Sequence, residues 1–133
     1  MSTNLDLVRA TYEGSSDENG RNLLAVLAPN VEWTEAEGFP YAGTYVGPEA
    51  IVAGVFRRLA TEWTGYRAAV HTYLEDGDRV AAFGVYSGTY NATGKSMRAA
   101  FAHLYELKGG KIMRMMQYVD SHVVQQALLA DVK

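Results

Sequence analysis

Four long β-rich runs in the second half of the chain limit its fold more than any other feature. They read YRAAVHTYLE, RVAAFGVYSGTY, SMRAAFAHLYEL and KIMRMMQYVD, and the segments between them are EDGD, NATGK and KGG. Each break contains Gly, which reaches the positive φ of tight turns without steric penalty, so the runs predict consecutive antiparallel hairpins. A sheet with one wet face alternates apolar and polar residues. The second run does not: Val80, Ala82 and Tyr86 fall on one side and Ala81, Phe83 and Val85 on the other. Both faces need cover. Helices can supply one, and the simplest cover for the other is a second copy of the chain, so a homodimer through the sheet is expected.

The first half supplies the helices. Leu5, Val8 and Tyr12 lie at i, i+3 and i+7 behind Ser2, Thr3 or Asn4 as caps, which predicts a short helix over 3–13. GSSDENG reads as a loop, and NLLAVLAPN as a second short helix ended by Pro29. In VEWTE, Val31, Trp33 and Glu35 share one face of a strand. A short extended piece, Tyr41 to Val46, precedes Pro48, which opens a third helix carrying Ile51, Val52, Val55, Phe56 and Leu59 to about Trp63. DSHVVQQALLA predicts a terminal helix with Asp120 as N-cap. The expected fold is α+β: three N-terminal helices packed on a mainly antiparallel sheet, plus a short C-terminal helix. No repeat or linker divides the chain, so residues 1–133 are expected to form a single domain.

With 48% hydrophobic and 20% charged residues, 133 residues suffice for one core. Fifteen acidic against 12 scattered basic residues argue against nucleic acid. The absence of Cys and the presence of only three scattered His leave no metal or thiol chemistry, and no cofactor is expected. The polar start and the lack of any stretch near ~20 apolar residues predict a cytoplasmic protein away from membranes. Nine of the aromatic residues are Tyr, each an apolar body whose hydroxyl needs a partner when buried.

No P-loop, dinucleotide fingerprint, GxSxG elbow or HExxH occurs. Asp120, Ser121 and His122 read as a helix cap and first turn rather than a triad. Glu35 shares the core-facing side of its strand, where desolvation would raise its pKa toward that of a general base. Its other reading is a strand end that reaches water. His103 lies on the face of Phe101, Tyr105 and Leu107, as a satisfied core residue or a catalytic one. Gln117 lies in line with Met113, Met115 and Val119, and a buried amide there would need a partner, for which His103 is a candidate. Tyr12 and Tyr45 are candidates to put hydroxyls into the same space. Trp33 and Trp63 read as walls.

VRATYEG, LLAVLAPNVEW, YAGTYVGPEAI, FAHLYELKGGKI and MQYVD together resemble the nuclear transport factor 2-like superfamily, on the side of SnoaL-like polyketide cyclases and ketosteroid isomerases. The resemblance spans nearly the whole chain. It implies a cone-shaped fold in which a curved sheet wraps the helices, an internal pocket open at one end, and dimers through the sheet. It also places Glu35 where the isomerases carry their carboxylate base, and His103 on or next to the position of their oxyanion-stabilising Asp. Tyr12 falls about one residue from their oxyanion tyrosine. Gln117 falls where SnoaL-like cyclases carry a catalytic carboxylate, and since an amide is no base, cyclase chemistry of that kind is disfavoured. The function this implies is a pocket protein, isomerase-like or lyase-like, for a small hydrophobic carbonyl compound of steroid, polyketide or terpenoid type. Glu35, His103 and Tyr12 would be catalytic, and Trp33, Tyr45, Phe56, Phe101, Tyr105, Met115 and Gln117 would line the pocket. The alternative is a non-catalytic homodimeric binder with His103 and Gln117 as polar anchors.

Overall fold

The structure, a computed structural model, describes residues 3–130. Helix α1 (Asn4–Arg9) starts at a capping box in which Thr3 and Asp6 satisfy each other's backbone N–H. It ends before Tyr12, which lies in the following turn rather than on the helix. Helix α2 (Ser16–Val26) overturns the loop expected at 14–20. Ser15 caps the Glu18 N–H and Glu18 returns a bond to Ser15, so the polar segment is a helix start rather than a break. The apolar run after it is divided: α2 stops at Val26 and strand β1 (Leu27–Glu35) runs on through Pro29.

Strand β2 (Gly43–Val46) leads into the segment expected to be one third helix. It is instead α3 (Pro48–Ile51), a π-helical turn (Val52–Phe56) and α4 (Arg57–Glu62), so the expectation of three N-terminal helices is corrected. At Gly54 in the π turn a Cβ would stand 2.2 Å from the Tyr45 ring, so the ring lies directly on the backbone. Four long strands follow, β3 (Trp63–Asp76), β4 (Arg79–Tyr90), β5 (Lys95–Lys108) and β6 (Lys111–Val119), and then α5 (Ser121–Leu128), capped by Asp120 as expected. No described helix is long and apolar enough to cross a membrane.

The strands form one curved six-stranded sheet in the order β2-β1-β6-β5-β4-β3. Every pairing is antiparallel except β1 with β6, so the first strand of the chain closes against the last. A register shift opposite Glu106 and Leu107 turns Ile112, rather than Met113, to the inner face, and from Met115 onward the alternation carries Gln117 inward. The inner face packs in two apolar clusters. One holds Val8, Val31, Trp33, Ile51, Tyr105, Ile112 and Met115. The other holds Phe39, Tyr41, Val55, Trp63, Tyr86, Phe101 and Val124. Each buried large side chain contributes roughly 1.5–3 kcal/mol. Between the clusters a row of a different kind crosses the sheet: Ala82 pairs with His103, His103 with Gln117, and Glu35 lies one step beyond the pairing of Thr34 with Met116.

Candidate functional site

That row is buried. Glu35 is 5% exposed, His103 7% and Gln117 3%. Period-two alternation brings each side chain inward, and pairing through the sheet brings three distant segments together. Gln117 is held at both ends: the Ala36 N–H donates to its Oε1 at 2.9 Å, and its Nε2 donates to the Tyr86 hydroxyl at 2.9 Å. Tyr86 in turn bonds His103 Nε2, Tyr12 bonds His103 Nδ1, and Tyr12 also bonds the Tyr105 hydroxyl. Gln117 and His103 are therefore linked through Tyr86 rather than directly. Burial pushes the His103 pKa down to about 3, so the imidazole is neutral across the physiological range.

Glu35 differs from its neighbours because no hydrogen bond from a described residue reaches its carboxyl. Burial pushes its pKa up to about 8. The Trp33 indole lies near enough to act in the opposite sense, but its Nε1 makes no bond of ordinary geometry and is itself buried without a partner. The Tyr66 hydroxyl is likewise buried and unpartnered. Burial raises the phenols of Tyr45, Tyr66, Tyr86 and Tyr105, and the Glu35 carboxylate adds to the rise in all four. Glu35 is thus the buried acid whose charge acts on all four of these phenols.

The structure assembles most of the residues singled out in the sequence. Phe56 meets Trp33 edge-on at 5.5 Å, Phe101 stacks under Tyr86 at 4.1 Å, and Met115 is fully buried beside Trp33 and Tyr105. Tyr45 departs from expectation. Its hydroxyl donates to the Tyr41 carbonyl at 2.8 Å, so it does not share a space with the Tyr12 hydroxyl, and only its ring remains as wall. Tyr86 and Tyr66 were not singled out as site residues. The sequence signal for Tyr86 was its place on the Val80 and Ala82 face, two residues further along β4 than Gly84, which pairs with Phe101. Two surface grooves lie elsewhere and contain none of these side chains. One, about 540 Å³, is lined by Lys95, Met97, Arg98, Val123, Gln126 and Ala127, and the other, about 270 Å³, by Asn30, Glu32, Glu106, Met113 and Arg114.

A curved mixed sheet over short helices defines a small α+β class shared by several solved structures. An NTF2-like protein from Burkholderia thailandensis is 41% identical, with 97% of this chain and 99% of that one aligned at a TM-score of 0.92. An NTF2-like protein of unknown function from Burkholderia pseudomallei is 27% identical over 98% and 100% of the two chains, with a TM-score of 0.86. TerC, co-crystallized with polyporic acid, is 28% identical over 96% and 98%, with a TM-score of 0.83. The chain belongs to the SnoaL-like domain family, whose model matches residues 8–115. No protein of curated function matches it.

Proposed function

We propose that the chain takes a small hydrophobic carbonyl compound into the space around Glu35 and moves a proton on it without a cofactor, in the manner of an isomerase or lyase. The observation that carries this reading is the buried Glu35 carboxyl, its pKa pushed up to about 8, beside a Trp33 N–H that makes no bond of ordinary geometry, with the unpartnered Tyr66 O–H within its field. Buried polar groups are ordinarily bonded, and unpartnered donors near a buried carboxyl mark the place of a missing partner. In the reaction the ionised carboxylate takes a proton from the carbon next to the carbonyl. The carbonyl oxygen, becoming an oxyanion, is held by a phenol of the Tyr12–Tyr105 pair, and Glu35 returns the proton to another carbon. Both nitrogens of His103 are already bonded, so it supports the phenols rather than touching the ligand. The ligand class agrees with TerC, which was co-crystallized with polyporic acid.

The same reading makes the outer sheet face the interface of a homodimer. Ala81, Phe83, Val85, Ala102, Leu104 and Met116 are only half-buried there, and Tyr118 is 55% exposed. Light scattering that returns the mass of one chain at micromolar concentration would remove this part of the proposal.

Thermal-shift screening against steroid, polyketide and terpenoid libraries tests the ligand. A true ligand at 100 times its Kd stabilises by ~2.7 kcal/mol. For a substrate so found, kcat/KM is expected to rise as pH passes about 8, where Glu35 ionises, and to be lost in Glu35→Gln. Unchanged turnover in that variant sinks the mechanism. Gln117 favours a second reading, a non-catalytic binder, because an amide fixed at both ends is an anchor and no base. In that case ligands bind and none is converted.

A further inference from the structure

The Tyr86, His103, Tyr12 and Tyr105 side chains form a chain with three links. Each carries one exchangeable proton when the imidazole is neutral, so the three links use three of four protons and one is left over. Where it is left depends on the direction in which the links run. The Ala36 N–H can only donate, so it fixes Gln117 Oε1 as the acceptor and turns Nε2, a donor, toward Tyr86. If Tyr86 then donates to His103 Nε2, the proton of His103 is on Nδ1 and goes to Tyr12, and Tyr12 donates to Tyr105. Every proton before Tyr105 then has an acceptor, and the unpaired proton is on Tyr105, whose oxygen has no bonded neighbour but Tyr12 among the described residues. Run the other way, two donors converge on the Tyr86 oxygen while its own proton has no acceptor in a site 4% exposed. Both arrangements leave one buried phenolic proton without an acceptor. The second leaves it on an oxygen on which two further donors converge and repel it, whereas in the first the Tyr105 oxygen receives only the Tyr12 donor.

We propose that Gln117 is the positioning residue that sets the direction of this chain, holding His103 as the Nδ1–H tautomer and leaving the free phenolic proton on Tyr105. Resting on the ligand reading above, the group that Tyr105 presents to a bound molecule is then a donor. The atom it selects is a carbonyl oxygen or an oxyanion, never an ammonium or amide N–H. The Trp33 ring meets the Tyr105 ring at 6.2 Å, and its unpartnered N–H favours the same acceptor-bearing class.

Nitrogen-15 NMR of the labelled protein without ligand reads the tautomer directly, with the His103 signals assigned by substituting the exposed His71 and His122. The expected result is a proton on Nδ1 in the wild type. Gln117→Met, which removes the donor to Tyr86, should admit the Nε2–H form. Gln117→Glu keeps the shape and, once its carboxyl ionises at alkaline pH, offers Tyr86 an acceptor, so the chain should reverse to Nε2–H. It also serves if the Met variant fails to fold. An Nε2–H wild type, or Nδ1–H retained in the alkaline Glu variant, overturns the proposal. Because no ligand is involved, that failure is separate from a failure to find a substrate. A screen without hits leaves the tautomer result standing.

Discussion

Two tyrosine networks are buried in this sheet, and they treat their protons in opposite ways. Around Tyr41 every donor has an acceptor. Its hydroxyl donates to Glu62 at 2.8 Å and accepts from Trp63 Nε1 at 3.1 Å, Arg58 Nε donates to Glu62 at 3.0 Å, and the Arg58 guanidinium covers the Tyr41 ring at 4.3 Å. Burial acts to raise the Glu62 carboxyl, but the bonds from Tyr41 and Arg58 prevail and hold it below its ordinary range. Around Glu35 the Trp33 N–H makes no bond of ordinary geometry, and the Tyr66 O–H stands without an acceptor. The first arrangement fastens the 36–42 loop and α4 to the start of β3. The second weakens the fold by leaving polar groups desolvated and unpaired, a burden that makes sense only where a ligand completes them.

The sharpest way to break this contrast is to remove the Glu35 charge. Its folded pKa, about 8, lies above the ordinary 4.5, so its proton is bound more tightly in the folded state and stability falls as pH rises from 4.5 to 8. His103 works in the other direction. Its pKa of about 3 lies below the ordinary 6.5, so stability falls as pH drops from 6.5 to 3. Between 4.5 and 6.5 the two slopes cancel, and these groups predict a plateau there with a falling arm on each side. Glu35→Gln should abolish the alkaline arm and stabilise by on the order of 4 kcal/mol at pH 8, read by urea unfolding across pH. An alkaline arm that survives the substitution shows that the carboxyl already has a partner.

Next in size is Tyr41→Phe, which strands Trp63 Nε1 and one oxygen of Glu62 and should cost about 1–3 kcal/mol without affecting ligand binding. Tyr66→Phe removes a buried hydroxyl with no partner, so it should stabilise the fold by about 1–3 kcal/mol while weakening any ligand found by screening. Equal costs for the two substitutions would erase the distinction between the networks. The smallest effect is expected for Arg58→Ala. Its pair with Glu62 and its contact with the Tyr41 ring are near the surface, and their loss should cost about 0.5–1 kcal/mol, less in high salt.

The strands were legible because alternation and Gly-bearing turns are local signals. The second long run coincides with β4 at Arg79–Tyr90, and Asp120 caps α5 as its position suggested. The start of α2 was hidden because GSSDENG has the composition of a loop, and only the reciprocal pairing of Ser15 with Glu18 makes it a helix. The π turn leaves no mark in the apolar spacing, since one added residue per turn shifts Val55 and Phe56 without exposing them. Within the site, the inward faces of Glu35, His103 and Gln117 followed from period two. That Tyr86 stands between Gln117 and His103 depends on the register of three strands, and Met113 was misplaced by a bulge opposite Glu106 that no local pattern announces.

The parallel pairing of β1 with β6 also sets a timetable. Tyr12 leaves the ribosome 93 residues ahead of the Tyr105 hydroxyl it bonds, and β1 must wait for β6 before its inner edge is covered. At roughly 5–20 residues per second that wait lasts several seconds, with Val31 and Trp33 on a strand that β2 covers along one edge only. Long-range closure of this kind slows folding and exposes edges to other chains. The polar row is therefore complete only once β6, which carries Gln117, is in place. A nascent chain arrested before β6 would carry Glu35 on a solvated strand as an ordinary carboxylate, and the unusual acid appears only when the final strand docks.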